Sequence, residues 1–331
     1  MLNDETASPD QLSADDDEAV EEIADRCLLS ALLSKNRSRH PIPTAVCWPC
    51  NAPSLAGALE AAEAGYIEPI MVAPKSVVRT IAYSEGLNIA SSRFVEVEDE
   101  EEAAAASVRL CQKGQAAALM KGSLHTDLLM HAVLQKDGGI RTARRVSHVY
   151  VMEAPLYDRT LFITDAAINI YPSLEDKVDI VQNAIDLAHT LGVENPKVAI
   201  LSAVETVCAK ITSTLDAAAL CKMADRGQIT GATLDGPLAF DTAVSAEAAH
   251  VKQLQSPVAG IADILVVPDL ESGNMLAKQL EYLGGARLAG IVLGAKVPII
   301  LTSRADSAES RVASCAIASL LVEKNYHYHL A

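Results

Sequence analysis

Between residues 44 and 134 the chain repeats one unit: a short apolar strand, a helix of three- and four-residue apolar spacing, then Gly. Strands are expected at 44–47, 69–73, 94–97 and 116–120. Helices are expected at 54–64, 76–85, 100–113 and 126–134, the first three closed by Gly65, Gly86 and Gly114. Such repetition allows little besides parallel strands joined by crossover helices. The apolar residues are mostly Ala, Val, Ile and Leu, and aromatics make up only 4% of the chain. That composition suits helices packed on a buried sheet.

The rhythm breaks at Asp137-Gly138-Gly139-Ile140-Arg141, where a basic loop with Arg144 and Arg145 follows. Two strands at 147–152 and 160–163 come next with no helix between them, as at the entrance to a second domain. Alternation then resumes, with helices at 174–191, 214–224, 240–251 and 273–283 and strands at 197–201, 229–234, 264–267 and 288–293. A last strand, 297–301, feeds a helix running to about Val322. The 331 residues suit about two domains. A helical pattern begins near Glu18, and residues 1–17 read as a mobile acidic tail.

The net charge of −16 weighs against nucleic acid and anionic membrane as partners. No apolar run is long enough to span a bilayer, and no basic-then-apolar leader opens the chain. Seven cysteines, an odd number in a long chain, suit a reducing cytoplasm. The glycine fingerprints of Rossmann and P-loop nucleotide sites are absent, as is the G-x-S-x-G elbow. Cys47-Trp48-Pro49-Cys50 offers a C-x-x-C for redox chemistry, but no second thiol pair completes a zinc site.

Two strand-to-helix turns carry the chemistry. At 301–316 the turn presents Ser303, Arg304 and Asp306 before a long helix. Backbone N–H groups at a helix start, with a guanidinium beside them, make an anion seat; Asp306 and Glu309 could equally form a capping box. Lys121-Gly122-Ser123-Leu124-His125-Thr126 repeats the pattern with a cation, a close-approach Gly and hydroxyls, and Ser123 or Thr126 could cap the helix instead. Asp165 and Asp235 stand at expected strand ends, where open parallel sheets bind ligands and where turns also recruit Asp.

Long ordered segments, among them 164–184 (TDAAINIYPSLEDKVDIVQNA), 196–207 (PKVAILSAVETV), 235–245 (DGPLAFDTAVS), 256–269 (SPVAGIADILVVPD), 271–283 (ESGNMLAKQLEYL) and 297–314 (VPIILTSRADSAESRVAS), resemble the phosphate acetyl/butyryltransferase family, its butyryl-type branch more than its acetyl-type branch. The resemblance runs from about Ala45 to Leu321 and leaves out the acidic tail and the C-x-x-C. It implies a two-domain α/β fold of the isocitrate/isopropylmalate dehydrogenase type with an interdomain cleft. Residues 18–146 plus 298–331 would form one domain, and 147–297 the second, homodimerising domain.

The implied reaction is acyl-CoA plus inorganic phosphate giving acyl phosphate plus CoA, reversibly, on short or branched acyl groups. No metal or bound cofactor is implied; CoA is a substrate. Starting from acyl phosphate, the CoA thiolate attacks the carbonyl carbon and phosphate leaves. By resemblance Ser303 steadies developing charge, Arg304 holds phosphate or the carbonyl oxygen, and Arg144 or Arg145 binds CoA or phosphate. Lys121, Ser123, His125, Thr126, Asp165, Asp306 and Ser310 complete the expected substrate-binding set. Acetyl-type members carry a basic carboxylate at the position of Ser310, so the base expected here is the neighbouring Glu309. The competing readings are an acyl-carrier-protein:phosphate acyltransferase, a metal- and NAD-dependent dehydrogenase of the same fold, and a non-enzymatic redox sensor using Cys47 and Cys50.

Overall fold

The computed structural model describes residues 28–35, 40–303 and 306–324. The acidic tail and Arg304 therefore lie outside the described residues. Of the helical pattern expected from Glu18, α1 (Leu28–Lys35) is described.

The repeated units fold as expected. They give β1 (Ile42–Cys47), α2 (Ala52–Glu63), β2 (Ile67–Val72), α3 (Lys75–Ser84), β3 (Arg93–Val95), α4 (Glu100–Gln112), β4 (Ala118–Lys121) and α5 (Thr126–Leu134). The strands run parallel, with Ile42 opposite Ile67 and Thr44 opposite Ala118. Local chemistry sets the helix limits. Asn51 accepts from the Ser54 N–H to cap α2, and Asp99 accepts from the Glu102 N–H to cap α4, where Glu100–Glu102 also suit the positive dipole end. Gly114 closes α4 at φ +66°, a conformation costly for any residue with a Cβ.

The second stretch supplies β5 (Ser147–Glu153), β6 (Leu161–Thr164), α6 (Leu174–Thr190), β7 (Lys197–Leu201), α7 (Thr212–Asp225), β8 (Thr233–Leu238), α8 (Phe240–Val244), α9 (Ala246–Val251), β9 (Ile264–Val266), α10 (Leu270–Tyr282) and β10 (Arg287–Leu293). The chain ends in β11 (Ile299–Ile300) and α11 (Ala308–Glu323). Among the described residues one sheet of eleven strands forms, ordered β3-β2-β1-β4-β11-β10-β5-β6-β9-β7-β8. Its two ends are parallel. The centre is antiparallel: β10 pairs with β5 from Arg287↔Glu153 to Leu293↔Ser147, β5 pairs with β6, and β10 pairs with β11. β11 then lies parallel to β4, so the last strand completes the first end of the sheet.

Three expected elements shift. The strand expected at 229–234 forms instead at β8. Ile229 is buried, but in a turn that passes Gly231 at φ +86°; its apolar character reflects burial, not strand pairing. β8 contains Gly236 and Pro237, which an edge strand tolerates. Asp235 consequently sits inside β8, its carboxylate accepting from the Gly236 N–H, and not past a strand end. The helix expected at 240–251 divides at Ser245, which caps α9. The strand expected at 297–301 shortens to two residues behind Pro298, which has no N–H to donate.

Alternation along each strand divides the core. On one face Val46, Met120, Ile300, Ile291, Val149, Phe162, Ile264 and Val198 form a single apolar layer across the sheet. The other face carries two separate layers. One includes Leu124, Leu129, Ile299 and Leu301; the other includes Tyr150, Ile163, Ala166 and Leu288. A cavity opens where those two layers part. Among the described residues no helix is long and apolar enough to cross a membrane.

Candidate active site

One wall of the cavity is the turn between β4 and α5. The Gly122 N–H donates to the Cys47 carbonyl at 2.8 Å, and both the N–H and the hydroxyl of Ser123 donate to the Trp48 carbonyl at 2.9 Å. A Cβ on Gly122 would lie 2.4 Å from the Trp48 oxygen and 2.5 Å from that of Cys47, so only glycine fits between the strands. The turn brings Lys121, His125, Thr126 and Asp127 to the cavity. Neither expected hydroxyl cap forms. The N-cap residue of α5 is His125, whose side chain makes no capping bond, and the Ser123 hydroxyl is held by Trp48.

The opposite wall is α10, started by Asp269, which accepts from the Ser272 N–H. Leu270, Asn274 and Lys278 follow at four-residue spacing and face the cavity together. The Asn274 amide donates to the Ala166 carbonyl at 3.3 Å. The Lys278 ammonium donates to Glu281 at 2.7 Å and to Asp306 at 3.1 Å, and lies 6.0 Å from the Tyr150 ring centre. Burial resists its charge, but Glu281, Tyr150 and Asp306 outweigh that and hold its pKa above the ordinary lysine value.

Tyr150, Ala166 and Ala167 lie between the walls. Asp165 does not join them. Its buried carboxylate accepts N–H groups of Ala167, Ile168 and Asn169 and so shapes the turn carrying the two alanines. Burial pushes its pKa up against those bonds. The Ser303 turn closes the cavity. Asp306, fully enclosed, accepts the Ser303 N–H at 2.7 Å, and Arg311 donates to the Ser303 carbonyl at 3.2 Å. The cavity holds about 540 Å³.

The structure thus brings Ser303, Lys121, His125 and Thr126 together, with Ser123 and Asp306 behind them. It separates the rest. Arg144 pairs with Asp186, while Arg145 pairs with Asp176 at 3.0 Å and donates to Asn169 at 2.7 Å. Both line a second cavity of about 560 Å³ with Arg141, and the turn from Asp165 to Asn169 stands between the two cavities. Ser307, not Asp306, caps α11, so the capping box expected of Asp306 and Glu309 does not form. Glu309 leaves the first turn of α11 toward Arg287, with which it pairs. It and Ser310 line a third, smaller cavity, and neither lines the cavity of Ser303. The base role expected of Glu309 therefore lacks its geometry.

Burial first, and the charge of Glu100 after it, raise the thiol pKa of Cys47 to about 12 and of Cys50 to about 11. Thiols so held are poor nucleophiles, which removes the support for a redox role. Lys278, Asn274 and Tyr150 were not anticipated as site residues. The i, i+4 spacing of Asn274 and Lys278 was the available signal.

One cavity of this mixed α/β protein gathers two lysines, hydroxyls and a helix N-terminus, groups whose chemistry suits a small anion. The chain belongs to the phosphate acetyl/butyryltransferase family: the family model described as "Phosphate acetyl/butaryl transferase" matches residues 85–319. The phosphate acetyltransferase of Rhizobium meliloti is 59% identical over 87% of this chain and 92% of its own length. The phosphate butyryltransferase of Clostridium acetobutylicum is 42% identical over 88% of this chain and 96% of its own. The crystal structure of a branched-chain phosphotransacylase from Enterococcus faecalis V583 superposes with a TM-score of 0.75 at 32% identity, covering 85% of this chain and 99% of that one. Relatives of both the acetyl and the butyryl kind match, the acetyl-named one at the higher identity.

Proposed function

We propose that the protein is a phosphate acyltransferase, converting a short or branched acyl-CoA and inorganic phosphate to acyl phosphate and CoA, reversibly. The observation that carries this reading is the cavity shared by the Ser303 turn, the Lys121–Thr126 turn and α10, whose cations and hydroxyls suit phosphate and a developing carbonyl oxyanion. Ser303 steadies that charge. Lys121 and Thr126 hold phosphate, with Arg304 beside Ser303 in the sequence. The second cavity, with Arg141, Arg144 and Arg145, receives the remote part of CoA. Leu124, Leu270 and Leu301 give the acyl group an apolar wall.

The wider reading is an isocitrate/isopropylmalate dehydrogenase-like fold, with residues 18–146 plus 298–331 in one domain, 147–297 in the other, and the active site in the cleft between them. Pairing of β11 with β4, and the parting of the core layers at the cavity, support it. The enzyme works in the cytoplasm as a homodimer, without a resident metal or cofactor. The test is phosphate-dependent release of free CoA thiol from a panel of acyl-CoAs. Release from short or branched members is expected, and no release from any of them would refute the reading. Arg304→Ala should raise the apparent KM for phosphate.

A further inference from the structure

The proposed reaction passes through a thiolate, yet the carboxylates around Ser303 are engaged elsewhere. Asp306 has one oxygen on the Lys278 ammonium and the other on the Ser303 N–H. Glu281 is on Lys278, Glu309 on Arg287, and Asp165 on its own turn. His125 and Asp127 stand at the exposed rim. Two ammonium groups, those of Lys121 and Lys278, reach the cavity, and with Lys121 on phosphate in the reading above, Lys278 is left for the sulfur. Two carboxylates anchor Lys278, the rings of Tyr150 and Tyr282 flank it at 6.0 and 5.7 Å, and its neighbours on the stripe point the same way.

We propose that Lys278 is a catalytic cation of this site, stabilising the thiolate sulfur of CoA directly, so that no side-chain base is required. This rests on the acyltransferase reading above. The thiol proton leaves to solvent through the open rim. The sulfur electron pair then forms the S–C bond to the carbonyl carbon of acyl phosphate. The C–O bond to phosphate breaks, and phosphate departs with that electron pair. In the reverse direction the same ammonium receives the leaving thiolate. The apolar side chains of Leu124, Leu270 and Leu301 sharpen its field by excluding water. Because Glu281, Tyr150 and Asp306 keep its pKa above the ordinary lysine value, the ammonium stays charged at neutral pH. Asp306 makes it sense the Ser303 turn, joining the cation to the residue that steadies the oxyanion.

The test is the pH dependence of kcat for thioester formation from acyl phosphate and CoA, both saturating, in the wild type, Lys278→Met, Lys278→Arg and His125→Gln. A free thiol titrates near ~8.5. The wild-type ascending limb should lie below that. In Lys278→Met it should move up by about one unit or more, with kcat about tenfold lower at pH 7 and converging on the wild type in alkali. Lys278→Arg should keep the wild-type limb. Lys278→Gln replaces the Met variant if thermal melting shows the latter unfolded. An equal loss at every pH would overturn the proposal. So would an unchanged limb with only a raised KM for acyl phosphate, or a limb that moves in His125→Gln and not in Lys278→Met. A wild type that releases no thiol from any acyl-CoA would instead refute the acyltransferase reading, and this proposal with it.

Discussion

Glu309 and Lys278 show how little sequence distance decides at the residue scale. Glu309 is six positions from Ser303 and faces away from it; Lys278 is on another element and shares its cavity. Glu309→Gln should therefore leave kcat near the wild-type value, not the roughly 10²-fold lower value expected on losing a general base. Steady-state kinetics decide it. The exposed Glu309–Arg287 pair contributes less than about 1 kcal/mol, so melting should hardly change. Gly122 is the opposite case. Gly122→Ala drives a methyl group into two backbone carbonyls that cannot swing away. A loss of roughly 1–3 kcal/mol is expected in denaturant titration, together with lower activity as the Lys121–Thr126 turn is displaced.

Elements, more than residues, were legible in the sequence. The helix expected at 126–134 forms within those limits, and both strand-to-helix turns singled out as anion seats meet in one cavity. What was not legible depends on partners far away in sequence. Ile229 is apolar because it is buried under a turn, and a strand pattern cannot distinguish that from pairing. α10 reaches Ser303 only because antiparallel β10 and β5 join the two parallel ends of the sheet, and periodicity does not encode which edges meet. The contact itself can be tested. Asp306→Asn weakens the bond to Lys278, with a loss of about 1.5–3 kcal/mol expected for a bond to a charged group. Because the amide oxygen of the variant could still accept the Ser303 N–H, kcat should fall more than KM rises. Ser307→Ala removes the cap of α11 and should cost about 1 kcal/mol in thermal or denaturant unfolding, with little effect on the pH profile of kcat.

Acid sensitivity belongs to the whole molecule. His148 is wholly buried at the centre of the sheet, its ring edge-on to Tyr150 at 4.4 Å, and turned toward the Leu301 carbonyl without a well-formed hydrogen bond. Burial lowers its pKa to about 3, with the Leu301 carbonyl opposing and Lys278 adding to the shift. A depressed folded-state pKa stabilises the protein above the unfolded value of 6.5. That stability is lost as pH falls toward about 3, at roughly 1.4 kcal/mol per unit. Urea midpoints should drop across that window, and His148→Phe, which keeps the ring packing, should flatten the slope. An unchanged slope in that variant would assign the acid sensitivity to other groups.

The return of the chain to its starting end has a consequence for synthesis. β4 has one flank against β1, and its other flank waits for Ile299 and Ile300. α2 likewise waits for α11, whose Arg311 packs on Gly57. On the ribosome the first half of the sheet must therefore stand with an open, apolar strand edge while the whole second half is made, roughly ten seconds or more at ordinary elongation rates. A nascent chain of this protein carries an aggregation-prone edge until its final tenth emerges, and a stop codon just after β10 would leave both halves translated and the first one unfinished.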